Sequence, residues 1–125
     1  MAIELNHTIV PAHDKEAAAS FFAEIMGLTV GRTNPGTKPG RFAVVKVGGV
    51  NLAFDDADRF EPHHYAFHVS DDEFDAILAR IQERGISYAA DPFHKQRGQL
   101  NAYEGGRGFY FLTPDGHNIE LLTAI

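Results

Sequence analysis

Apolar residues recur three and four positions apart in residues 15–26 and again in residues 71–84, which is the spacing of one buried helix face. Asp14 stands at the N-cap position of the first segment. Ser70, with Glu73 three residues later, forms the pattern of a capping box before the second. The sequence therefore predicts two amphipathic helices. Their predicted buried positions are Ala18, Phe21, Phe22 and Ile25 in the first and Phe74, Ile77, Leu78 and Ile81 in the second.

Short runs of β-branched and aromatic residues, bounded by glycine, proline or polar residues, precede and follow each helix. Such runs are typical of strands. Gly48-Gly49 and Pro114-Asp115-Gly116 each separate two of the runs and predict turns between them. The predicted strands are residues 3–11, 28–32, 41–47 and 50–55, then 64–69, 86–90, 108–113 and 117–123, with loops over 33–40 and 91–106.

The order strand, helix, three strands therefore occurs twice. His64 follows His7 by 57 positions, and Gly85 follows Gly27 by 58, so the two halves run in step. An internal duplication explains this agreement. We expect an α+β fold of two βαβββ modules, whose mixed sheets curl to form a cupped site. The predicted single domain covers residues 1–125, with module 1 at about 1–56, module 2 at about 62–125 and a joint at 55–62.

Charge and composition restrict the partners. The chain has 125 residues, with 11 Lys and Arg against 17 Asp and Glu, and a net charge of −6. Such a chain does not attract phosphates or anionic lipids, and no apolar run approaches the ~18 residues that a membrane span needs. We therefore expect a cytoplasmic protein that binds neither nucleic acid nor membrane. The absence of cysteine excludes thiolate ligands, so any metal is held by nitrogen and oxygen.

Three ionisable residues interrupt otherwise apolar strands: His7, His64 and Glu120. A carboxylate among apolar neighbours is costly to bury unless it is paired or binds a metal. Because the two histidines match in the repeat, we expect the three side chains to meet at a divalent metal ion, Fe(II), Mn(II), Ni(II) or Zn(II), with open coordination positions. The alternatives are core histidines bonded to backbone groups and an ion pair of Glu120 with Arg41 or Arg107.

Other polar and aromatic residues are weaker candidates. His68 shares a strand face with His64 by the period of two and could line a pocket. His94 falls in the predicted loop over 91–106, where histidines are usually solvated and gating of a pocket is the alternative. Tyr65 and Tyr103 could contribute apolar lining.

The duplicated pattern and three sequence features resemble the vicinal-oxygen-chelate superfamily: His7, the run His64-Tyr65-Ala66-Phe67, and the segment GFYFLTPDGHNIEL over residues 108–121. This group includes glyoxalase I, extradiol dioxygenases, fosfomycin-modifying enzymes and bleomycin-binding proteins. The resemblance implies that His7, His64 and Glu120 are the metal ligands and that Tyr110 matches the active-site tyrosine of the dioxygenases. It also implies a homodimer, with the modules paired within one chain or exchanged between two.

Departures from the family patterns narrow the choice of function within the superfamily. Glyoxalase I resemblance calls for a glutamate where this chain has Ala53, and fosfomycin-modifying enzymes place a threonine where it has Ile9. Fold alone does not define function. We expect a divalent-metal-dependent enzyme of this superfamily that acts on a small, oxygen-chelating substrate, aromatic substrates included, with Tyr110 donating a hydrogen bond or proton. The alternative is a non-catalytic protein that sequesters an antibiotic.

Overall fold

The computed structural model describes residues 3–31 and 40–124. The chain forms two compact units, Met1–Glu61 and Pro62–Ile125, and their boundary falls inside the predicted joint. Each unit has the order strand, helix, three strands. The α+β fold with two similar βαβββ modules is therefore confirmed. Within the described part of the chain, no helix combines the length and the apolar composition needed to cross a membrane.

The first unit contains one helix and a four-stranded mixed sheet. In the sheet order β1-β4-β3-β2, β1 is parallel to β4 and the other neighbours are antiparallel. The Asp14 carboxylate accepts hydrogen bonds from two backbone N–H groups and starts the helix, which ends at Gly27 with φ 75°. The elements are β1 (His7–Ala12), α1 (Lys15–Met26), β2 (Val30–Gly31), β3 (Ala43–Val47) and β4 (Val50–Asp56).

The second unit repeats this arrangement in the sheet order β5-β8-β7-β6, with β5 parallel to β8. Its helix begins with the predicted capping box, because the Ser70 hydroxyl accepts a hydrogen bond from the backbone N–H of Glu73 and the Glu73 carboxylate accepts one from the backbone N–H of Ser70. The elements are β5 (His64–His68), α2 (Asp71–Glu83), β6 (Tyr88–Ala89), a 3-10 turn (Tyr103–Gly105), β7 (Gly108–Leu112) and β8 (Asn118–Leu122).

The pairing register of the strands is the same in the two units, as is the order of the elements. Residue pairs on neighbouring strands share one face of a sheet. His7 pairs with Asn51 in the first sheet, and His64 pairs with Asn118 in the second. Counted from these pairs, Ala53 of β4 occupies the position that Glu120 occupies on β8. The duplication therefore extends to single residues, and only the second unit has a carboxylate at this place.

Aromatic packing joins α2 to one face of the second sheet. The rings of Phe74 and Phe109 meet edge to face with centroids 5.2 Å apart, and both side chains are fully buried. Arg107 stacks on the Phe74 ring at 4.4 Å and pairs with Asp71 and Asp75 of α2. These contacts cover the face that carries Phe109 and leave the opposite face of the sheet without a helix from this unit.

Three predicted strands differ most from the structure, and the other bounds that change do so by one or two residues. β1 begins at His7 rather than at residue 3, because Ile3 and Leu5 are exposed and ladder pairing starts at His7. The predicted strands 28–32 and 86–90 shrink to the two-residue strands β2 and β6. The predicted loop 33–40 lies outside the described residues except for Gly40.

Candidate metal centre

The candidate site lies on the face of the second sheet that α2 does not cover, which we call the open face. Because register partners share a face, two rows of residues can be identified on it. Ala66, Glu120 and Tyr110 are aligned across β5, β8 and β7. His64, Asn118 and Leu112 form the neighbouring row, two residues along the strands, on the same face.

His64 and Glu120 contact each other on this face. The His64 Nε2 atom lies 2.9 Å from Glu120 Oε1. The carboxylate is mostly covered, with 15% of its side chain exposed, whereas the imidazole is 48% exposed. The two side chains therefore contact each other, and His64 is accessible rather than buried in the core.

Tyr110 lies directly across from Glu120 on the neighbouring strand. Its hydroxyl hydrogen-bonds to the Glu120 side chain, and its ring packs edge-on against His64 with centroids 5.7 Å apart. Burial, with a smaller contribution from the Glu120 charge, raises the pKa of Tyr110 to about 12. The phenol is therefore protonated at neutral pH and donates to the carboxylate.

His7 lies on β1 in the first unit, and its side chain is exposed. Its Nδ1 atom is 2.8 Å from the Asn6 side-chain oxygen. An amide oxygen can only accept, so Nδ1 carries the proton and Nε2 presents a lone pair. Across residues 3–31 and 40–124, no group of three or more His, Asp or Glu side chains is arranged to hold a metal ion.

The His64 and Glu120 atoms fit a divalent ion. Nε2 of His64 and Oε1 of Glu120 lie 2.9 Å apart, a hydrogen-bond distance that brings one nitrogen and one oxygen together on the same face. Imidazole nitrogen with carboxylate oxygen is a donor set that suits Fe, Mn, Ni and Zn.

The alternative in which Glu120 forms an ion pair with Arg41 or Arg107 is wrong, because both arginines have other partners. Arg107 binds Asp71 and Asp75 instead. Arg107 directly precedes Gly108, which lies on the open face, so the alternation of a strand directs the arginine toward α2. Arg41 pairs with Asp55 in the first unit.

One contact on the open face was not predicted from the sequence. His94 Nε2 lies 2.9 Å from the Asn118 side-chain oxygen, and the Asn118 amide donates to the carbonyl of Pro92. Asn118 thereby ties the 91–106 loop to β8, beside His64. The only sequence signal was an asparagine in an otherwise apolar strand. His68, in contrast, bonds through Nε2 to the carbonyl of Thr123.

Comparison with known proteins identifies the class. The sequence profile of the Glyoxalase/Bleomycin resistance protein/Dioxygenase superfamily matches residues 4–121, and the chain belongs to this superfamily. A solved structure of the oxidase ChaP-H2 is 48% identical and has a TM-score of 0.91, covering 100% of this chain and 96% of its own.

Two further relatives have other functions. The glutathione transferase FosA of Serratia marcescens is 33% identical over 130 residues, which cover 97% of this chain and 81% of the relative. The antibiotic-binding protein TnmS3 from Streptomyces sp. CB03234 is 28% identical with a TM-score of 0.70, covering 100% of this chain and 99% of its own. Oxidation, group transfer and binding therefore all occur among similar chains.

Proposed function

We propose that this protein is a divalent-metal-dependent oxidase that binds two adjacent oxygen atoms of a small aromatic substrate and uses O₂ as the oxidant. The observation that carries the proposal is the 2.9 Å contact of His64 with Glu120, braced by Tyr110 on an accessible sheet face. The likeness to an oxidase at 48% identity over the whole chain supports the choice of reaction.

The proposed ligands are His7, His64 and Glu120. His64 and Glu120 supply one nitrogen and one oxygen, and His7 supplies a second nitrogen. The Asn6 contact that directs the His7 Nε2 lone pair outward favours a ligand role. Two imidazoles and one carboxylate leave coordination positions for substrate oxygens.

Each residue has a defined task in this proposal. When bound, a divalent ion supplies Lewis-acid chemistry or, as Fe(II), one-electron chemistry with O₂. Tyr110 orients the Glu120 carboxylate through its hydrogen bond and keeps its proton, because its pKa is about 12. Apolar Leu112, which is 48% exposed in the row of His64, offers a surface for an aromatic ring.

Glyoxalase and fosfomycin-modifying functions are less well supported. The first unit has buried Ala53 at the place equivalent to Glu120, so a fourth carboxylate ligand is absent there. Ile9 of β1 pairs with Ala53 of β4, and its side chain has no hydroxyl that could bind a phosphonate. Neither of these differences from the other families changes the proposed ligands.

The direct test is metal analysis of protein purified without a histidine tag, under air and under nitrogen. We expect close to one divalent ion per chain. Catechols and hydroxynaphthalenes should be oxidised with matching O₂ consumption, and chelator treatment should abolish turnover. Tight antibiotic binding that is identical in metal-free and metal-loaded protein, with no product from any substrate, would instead establish a sequestering protein.

We also propose a homodimer. β1 and β2 are the edges of the first sheet, and β5 and β6 are the edges of the second; edge strands expose unpaired backbone groups that a second chain can cover. Light scattering at micromolar concentration should give twice the 13.8 kDa mass of the chain. A mass of one chain would reject the dimer and leave the metal proposal intact.

A further inference from the structure

A cavity in the second unit lies beside the candidate metal centre and plays no part in the function proposed so far. Its volume is about 210 Å³. Most of its walls are apolar, and no carboxylate contributes to them, whereas two residues of the 91–106 loop contribute nitrogen groups. The lining residues are Ile86, Ser87, His94, Arg97 and Leu112.

Strand register connects this cavity to His64. Leu112 forms one wall and is aligned with Asn118 and then His64 across β7, β8 and β5. Adjacent strands are about 4.8 Å apart, so Leu112 stands about 10 Å from His64 along the sheet. A ligand held at His64 and Glu120 must therefore extend past one benzene ring to reach the cavity.

Arg97 brings a positive charge to the cavity. Its Nε atom donates to the carbonyl of His94 at 3.3 Å, which leaves the two terminal nitrogens of the guanidinium available. In the described residues 3–31 and 40–124, no aspartate or glutamate forms an ion pair with Arg97. A planar guanidinium of this kind binds a carboxylate through two parallel hydrogen bonds.

The arginine is positioned by the sheet rather than by the loop alone. Its backbone forms a bridge with Ala89 of β6. His94, whose carbonyl accepts from Arg97, is anchored through Nε2 to Asn118. His94 has φ 58°, a left-handed conformation that is unfavourable for a residue with a side chain and persists where surrounding contacts impose it. Asn118 therefore connects the place of Arg97 to the strand that carries Glu120.

We propose that this cavity binds the carboxylate of a multi-ring aromatic acid through Arg97, while the rings lie along Leu112 and the chelating oxygens reach His64 and Glu120. This inference rests on the proposed function and specifies its substrate class. The distance along the sheet favours substrates larger than a single ring.

The test compares an acid with its neutral ester. The probes are 6,7-dihydroxynaphthalene-2-carboxylate and its methyl ester, added under nitrogen to the zinc-loaded protein, in which no redox step occurs. Naphthalene fluorescence reports binding without interference, because the chain has no tryptophan. We expect the wild-type protein to bind the acid about 10-fold or more tightly than the ester, as a charge-assisted pair requires.

Two variants and one control test whether the preference for the acid over the ester depends on Arg97. Arg97→Gln should lose the preference for the acid, while its affinity for the ester should be unchanged. Arg97→Lys should keep part of the preference, because the lysine ammonium keeps the positive charge but cannot form the two parallel hydrogen bonds of a guanidinium. Lys95→Gln removes the same charge from the same loop at a residue that does not line the cavity, and it should behave as wild type. Melting temperatures check that each variant is folded.

Distinct outcomes separate this inference from the proposed function. An acid preference that persists in the metal-free protein and disappears in Arg97→Gln supports carboxylate binding in the cavity, even if no metal-dependent turnover is found. Equal binding of acid and ester by the wild type, or an unchanged preference in Arg97→Gln, overturns the proposed carboxylate binding even if turnover is normal. Equal losses in Arg97→Gln and Lys95→Gln also overturn it, because they indicate only long-range charge.

Discussion

Glu120→Gln is expected to weaken metal binding by more than about 100-fold and to remove turnover, since loss of even an outer partner of a ligand costs 10–100-fold. The amide keeps the shape of the side chain and can still contact His64, which lies 2.9 Å from the carboxylate. It removes the negative charge that a divalent ion requires. Metal stoichiometry measured by elemental analysis after gel filtration checks this result.

Glu83→Gln supplies the matched control. Glu83 ends α2 and is exposed, so the same substitution there should leave metal content and turnover as in the wild type. If Glu120→Gln retains one ion per chain, Glu120 is not a ligand, and its contacts with His64 and Tyr110 are structural.

Phe109→Ala should give the largest loss of stability among single substitutions considered for the second unit. Phe109 is fully buried, and its ring meets Phe74 at 5.2 Å and Tyr88 at 5.6 Å. Truncating a buried phenylalanine lowers the free energy of unfolding by about 3–5 kcal/mol, because apolar burial is lost and a cavity stays behind. Denaturant titration should show an earlier midpoint with an unchanged slope.

Phe93→Ala provides the comparison, because Phe93 is 80% exposed and its removal should change stability by no more than about 0.5 kcal/mol. Phe109 lies on the face of the sheet opposite Glu120. The folded fraction of Phe109→Ala should therefore bind metal normally. A loss below about 1 kcal/mol would show that the Phe74 and Tyr88 rings repack around the gap.

Local signals predicted the helices well. α1 covers Lys15–Met26, as the spacing and Asp14 predict, and α2 ends one residue before the predicted bound, with Arg84 as its C-cap. The short strands were harder, because their length depends on a partner. Among the described residues, β2 pairs at two positions, Val30 with Val45 and Gly31 with Val44.

The candidate site was predictable where repeat and alternation act together. The period of two places Glu120 and His64 on one sheet face, and the structure brings them into contact. The contact of His94 with Asn118 was not predictable, because the 91–106 loop has no periodicity and depends on a left-handed residue. The proposed ligand role of His7 stays a prediction.

The parallel pairing of β5 with β8 sets the order in which this part of the molecule assembles. β8 is the last strand of its unit along the chain, yet it lies inside the sheet between β5 and β7. Pairing between segments so far apart in sequence is slow to form. During synthesis, β5 is therefore made well before β8, whereas β7 directly precedes β8. Glu120 arrives with β8, so the core of the unit and its proposed metal-binding carboxylate come together in one late step.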